Sequence, residues 1–219
     1  MIWRRPRVFR VGDMSTSRIE AFSDSIFAVI LTLLVLEIRV PQVDGSDVSH
    51  ELAHRVLSMT PKFLAYGLSF VIVCIWWVAH HQLFRVLARS DRGLLWINCL
   101  FLLWLSFIPF PTAMIGDFPR EAFAVMSYGA VMTLAGLSFC LMRYYTFFGA
   151  DLVDQRIEKS LLKLAMLRSV LNPMLHAIAV ATASISTRAA IVLYAILPAI
   201  FFVPSRLERH PLPKPAAHH

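Results

Sequence analysis

The chain has 219 residues, of which 58% are hydrophobic and only 16% charged, and its mean hydropathy is positive. Soluble domains carry about a quarter charged residues, so this composition excludes an ordinary soluble fold and points to a polytopic, all-α integral membrane protein. The formal charge of +7 raises nucleic acid as a partner, but the basic residues sit between apolar spans and form no single patch with interleaved aromatics, so no nucleic acid is expected.

Residues 1–16 hold Arg4, Arg5, Arg7 and Arg10 ahead of a polar turn and read as a solvated cytoplasmic arm. They contain no apolar stretch followed by a small-residue cleavage site, so they are not expected to be a cleaved signal peptide. The next segment, Ser17 to Pro41, reads as a membrane helix. Ser17 followed by Glu20 has the pattern of a capping box, and Pro41 cannot continue a helix. From Arg18 to Val40, at about 1.5 Å per residue, the helix is roughly 35 Å long and crosses a bilayer. Asp24 interrupts its apolar run. A carboxylate is costly in hydrocarbon, so Asp24 is expected to face protein or water with a partner. At about 100° per residue, Arg18, Phe22, Ser25, Val29, Leu33 and Leu36 share one stripe with Thr32 at its edge, and Ser23 and Asp24 lie on the far side.

The loop from Pro41 to Thr60 has an acidic lean and a short helix around Val48 to Ser58. A second span starts at Pro61, suited to a first helical turn, and ends near Leu87. Trp77 and His81 fit an interfacial belt there. Trp76 and His80, one turn apart, are expected to offer an indole N–H and an imidazole to Asp24. The third span, about Asp91 to Ile115, carries Asn98, which can bridge to Ser23 or Asp24. Its Pro109 and Pro111 kink or end the helix. The fourth, about Arg120 to Tyr145, has Gly129, Ala130, Gly136 and Ser138 for close helix contact.

Residues 146–163 read as a solvated cytoplasmic connector. The fifth span, about Leu164 to Ser184, contains Pro173, which predicts a kink, and His176, expected to be satisfied by a neighbouring helix. The sixth, about Thr187 to Val203, ends at Pro204. Residues 206–219 read as a disordered cytoplasmic tail. Cys74, Cys99 and Cys140 lie inside spans, where they read as small core residues with no disulfide or metal spacing. Most lysines and arginines fall on the side of both termini; only Arg39, Arg55, Lys62, Arg120 and Arg188 fall on the other. Both termini are therefore expected in the cytoplasm.

The spelling Arg18-x-x-x-Phe22-Ser23-Asp24 followed by an apolar helix resembles the transmembrane protein 175 family, the lysosomal and prokaryotic potassium channels that lack the usual filter loop. The resemblance implies a prokaryotic member in the inner membrane. The family's constriction positions fall on Val29, Leu33 and Leu36, with a threonine position at Thr32; valine is smaller than the residue expected at the first layer. A tryptophan and a histidine at the end of the second helix also resemble the family. Animal members carry two repeats, and this chain has one, which implies a homotetramer with helix 1 of each subunit lining the pore, Ser25 included. Residues 17–205 then form a six-helix channel domain.

On this reading the chain passes potassium with modest selectivity over sodium, through hydrophobic rings that gate by dewetting or side-chain closure. Its partners are potassium ions, the lipid bilayer and its own copies. Arg18, Phe22, Ser23, Asp24, Trp76, His80 and Asn98 form a polar network that holds helix 1. Glu37 gathers cations at the outer mouth. The alternative is a proton-coupled secondary transporter, with Asp24, His80 and His176 as a relay. The sequence has no Ser/His/Asp set, no HExxH, no paired acids and no phosphate loop, so no enzyme activity, cofactor or resident metal is expected.

Overall fold

The computed structural model describes residues 15–42, 48–150 and 152–202. They form eight α-helices: α1 (Thr16–Leu36), α2 (Val48–Ser58), α3 (Thr60–Arg85), α4 (Arg92–Ser106), α5 (Pro109–Asp117), α6 (Ala122–Tyr144), α7 (Lys159–Ala183) and α8 (Thr187–Phe202). A π turn, Tyr145–Gly149, extends α6. The basic arm up to residue 14, residues 43–47 of the acidic loop and the tail from residue 203 lie outside the described residues.

Among the described residues, five stretches are long and apolar enough to cross a membrane: α1, α3, α4 with α5, α6 with its π turn, and α7. The expected sixth span corresponds to α8. It has 16 residues, a rise of about 24 Å at 1.5 Å per residue, against a hydrocarbon core of about 30 Å.

The ends of α1 differ from expectation. Ser15, not Ser17, is the N-cap residue, and it makes no side-chain cap bond. Ser17 Oγ donates to Ser15 Oγ at 3.1 Å. With the cap moved to Ser15, the third helical position is Arg18, so Glu20 lies too far into the helix to complete a capping box, and its Oε1 instead meets His81 Nδ1 at 2.7 Å. At the other end the helix stops at Leu36, four residues short of Val40. Pro41 has no N–H to offer the Glu37 carbonyl, and it disfavours the helical conformation at Val40. The last turn tightens instead, with Ile38 N–H donating to the Val35 carbonyl at 3.1 Å.

Pro109 and Pro111 split the third span, and the chain restarts as α5 with proline in its first turn. The buried hydroxyls of Ser69 and Thr112, 2.8 Å apart, then tie α3 to α5. Tyr128 OH lies 3.1 Å from Ser69 Oγ and adds α6 to the same point.

The most deeply buried helix is α6, which packs chiefly on α7 and α4. Neighbouring side chains crowd its backbone at Gly129 and Gly136. A Cβ at Gly129 would lie 2.0 Å from Tyr194 OH and 2.4 Å from Val180 Cγ2. At Gly136 it would meet Asn172 Oδ1 at 3.0 Å and the Pro173 ring at 3.2 Å. Pro173 remains inside a continuous α7. The hydrophobic core runs through Phe27, Ile30 and Leu34 of α1, Trp76 and Leu83 of α3, Phe101 and Leu105 of α4, and Tyr128 and Met132 of α6. In this arrangement α1 packs on α3 and α4, at the edge of the bundle.

The connector after α6 is not simply solvated. Leu152, Val153 and Ile157 are buried, and Val153 pairs with Leu87 in an isolated antiparallel bridge. Ala88 N–H donates to the Leu152 carbonyl at 2.8 Å, and Asp154 N–H to the Val86 carbonyl at 3.0 Å. Polar flanks concealed this short apolar anchor in the sequence.

Candidate functional site: the exposed stripe of α1 and its anchors

Helical spacing divides α1 into faces. Ile19, Ser23, Phe27, Ile30 and Leu34 are buried against α3 and α4. On the opposite side Arg18, Phe22, Ser25, Val29, Thr32, Leu33 and Leu36 are all exposed, and Glu37 follows at the helix end, exposed as well. Phe22 is 52% exposed, Val29 54%, Leu33 40% and Leu36 69%, so no described part of the chain covers this stripe. Its hydroxyls turn back on the helix: Ser25 Oγ donates to the Ala21 carbonyl at 2.9 Å, and Thr32 Oγ1 to the Val29 carbonyl at 2.7 Å. The surface they leave is mainly hydrocarbon.

The buried side carries a directed hydrogen-bond chain. Asn98 Nδ2 on α4 donates to Ser23 Oγ at 2.9 Å, and Ser23 Oγ donates to the Ile19 carbonyl at 2.9 Å. The Asn98 carbonyl oxygen is then left facing His80 Nε2 at 2.9 Å. An amide oxygen only accepts, so in this orientation His80 carries its proton on Nε2. Phe84 stacks on the imidazole with centroids 4.5 Å apart, and Phe27 meets it edge-on at 5.7 Å. His80 is fully buried.

A second pair of contacts lies along the edge between α1 and α3. Trp77 Nε1 donates to Asp24 Oδ1 at 2.9 Å. One turn away, His81 Nδ1 meets Glu20 Oε1 at 2.7 Å. The two α3 rings stack with centroids 6.1 Å apart. Because Glu20 and Asp24 are spaced i, i+4, as are Trp77 and His81, antiparallel helices bring both pairs together at once.

Asp24 therefore meets Trp77, not the Trp76 and His80 that the sequence predicts. Trp76 points into the core, 5.6 Å from the Phe101 ring, and His80 turns to Asn98. The reason is angular: neighbouring residues on α3 point about 100° apart. Residues 76 and 80 share the core face with Val73 and Leu83, while 77 and 81 reach the edge where α1 lies. Ser23, His80 and Asn98 are brought together. Arg18 and Phe22 lie on the exposed stripe, away from that network. His176 is also elsewhere, on α7, with Nδ1 on the Asn172 carbonyl at 2.9 Å and its ring stacked on Tyr194 at 6.0 Å. Glu20, Trp77 and His81 were missed as anchors, although their matched i, i+4 spacing was readable.

Residues 18–109, running from α1 through α4 to the first residue of α5, match the family described as the endosomal/lysosomal potassium channel TMEM175. A potassium channel of Streptomyces collinus is 34% identical over 175 residues, covering 78% of this chain and 84% of that one. The chain belongs to this family. In structure it is similar to the crystallised lysosomal potassium-selective channel TMEM175 homologue from Chamaesiphon minutus, with a TM-score of 0.76 at 30% identity, covering 85% of this chain and 96% of that one. The endosomal/lysosomal proton channel TMEM175 of Danio rerio is 26% identical over 150 residues; the match covers 68% of this chain but only 28% of the fish protein. As a member of a channel family, the chain is a multi-pass membrane protein.

Proposed function

We propose that this chain is a potassium-permeable cation channel in which four copies surround one pore and present the exposed stripe of α1 to it. The observation that carries the reading is the two-sided character of α1. One side is hydrogen-bonded to α3 and α4 through Ser23, Asp24 and Glu20, and the other leaves Val29, Leu33 and Leu36 uncovered. Rings of these side chains narrow the path and close it by dewetting. Thr32 and Ser25 flank the rings, and Glu37 raises the local cation concentration at the outer mouth. Potassium passes more readily than sodium because it sheds water at lower cost, which gives real but modest selectivity. Lipid and the other copies cover the remaining apolar surface, with α8 as the sixth crossing. Both termini lie in the cytoplasm of a prokaryotic cell, by the distribution of basic residues.

The test is cation flux into liposomes holding the purified protein, comparing potassium, sodium and a large organic cation. Passive potassium flux above sodium flux, with the organic cation excluded, is the expected result. Flux that appears only with a proton gradient would overturn the channel reading in favour of a coupled transporter. The fish relative's description as a proton channel makes proton flux without added potassium a second measurement on the same vesicles.

A further inference from the structure

Between α1 and α3 the chain forms α2, which packs on the rest of the structure only lightly, near the start of α3. Every residue from Leu52 to Ser58 is exposed. Leu52 and Val56, one turn apart, share a side of the helix that Met59 continues, and each keeps 38% of its surface open. His54 and Ser58 lie well away from that stripe. Arg55 and Glu51 form an i, i+4 ion pair at its flank, with Nε 2.9 Å from Oε1. Leu57, 72% exposed, stands alone on the far side.

The position of α2 is fixed by its junction with α3. Only Met59 separates its last residue, Ser58, from the first residue of the membrane-spanning α3. The outward apolar side chains of α3 begin at Phe63 and Leu64, 44% and 68% exposed, about one turn further on. The last turn of α2 therefore sits at the level where α3 enters the membrane. We propose that α2 lies along this headgroup boundary, with Leu52 and Val56 turned into phospholipid and His54 and Ser58 toward water. Two apolar side chains offer far less than the roughly 1,000 Å² that a specific protein interface needs, whereas a lipid boundary requires no shape match. The proposal depends on α3 spanning the membrane and not on which ion is conducted.

The test uses the full chain in phosphatidylcholine vesicles, with Cys74, Cys99 and Cys140 replaced by serine and single spin labels attached through Leu52→Cys, Val56→Cys, His54→Cys or Ser58→Cys. Collision rates are measured with oxygen, which concentrates in lipid, and with a water-soluble nickel chelate. An oxygen-to-nickel ratio several-fold higher at 52 and 56 than at 54 and 58 is expected. Equal nickel access at all four sites would overturn the proposal. So would labels at 52 and 56 that are shielded from both reagents and broadened by neighbouring labels, which would mean that a second copy covers the stripe. All four sites are exposed, so labelling leaves the packed core intact.

Discussion

Trp77, and not the adjacent Trp76, holds Asp24: its indole N–H reaches the carboxylate at 2.9 Å, while Trp76 is buried against Phe101. Trp77→Phe removes the N–H that makes this contact and leaves a carboxylate within the span short of a donor. The expected loss is about 1–3 kcal/mol, read as lower thermal stability in detergent. Asp24→Ala in the Trp77→Phe background should add less than it costs alone, because both changes break one interaction.

Asn98 joins α1 to α3 by bonding Ser23 with its amide N–H and His80 with its carbonyl. Asn98→Leu leaves both buried partners without it and should destabilise by about 1–3 kcal/mol for each unsatisfied group. Ser23→Ala removes one bond and should cost less. Thermal unfolding of the two variants and their double mutant gives the coupling.

The uncovered stripe predicts a permeation effect without a folding defect. Leu33→Ser replaces an exposed leucine, so the yield and thermal stability of the protein should stay close to the parent. If Leu33 forms a hydrophobic ring, the potassium-to-sodium permeability ratio falls toward one in liposome flux. An unchanged ratio would remove Leu33 from the filter.

At Gly129 side chains of α7 and α8 crowd the α6 backbone. Gly129→Ala should cost about 1–3 kcal/mol as an overpacked core position. Tyr194→Phe should relieve it only in part, since the Val180 methyl stands 2.4 Å from the new Cβ. Gly93→Ala is a separate case. Its Cβ would strike Tyr145 OH at 2.2 Å and displace that hydroxyl from Asp91 Oδ2, to which it donates at 2.7 Å. Tyr145→Phe in the Gly93→Ala background should recover part of the lost melting temperature.

The bonds from Arg156 hold the Asp154 carboxyl down from the ordinary 3.8 to about 2. A depressed carboxylate contributes fully above its ordinary value and loses that contribution as the pH falls through its folded value. The mobility of a spin label at Gln155→Cys should therefore stay constant from pH 7 to near 4 and rise only below it. In Asp154→Asn the label should be mobile across the whole range.

The sequence alone determined the membrane class, five of the six expected spans and the two faces of α1, because hydropathy and helical period are local properties that read directly from residue order. Pro61, Pro109 and Pro111 likewise marked helix boundaries through their missing N–H groups. Which residues meet across helices was decided only in the tertiary structure. A shift of one position on α3 turns a side chain by about 100°, so the choice of Trp77 over Trp76 for Asp24 depends on how α3 is rotated against α1. The same holds for His80, whose imidazole turned to Asn98 once α4 packed beside it. The connector's anchor at Leu152, Val153 and Ile157 also needed the fold, since three apolar residues among charges gain their burial only when the turn after α3 lies beneath them.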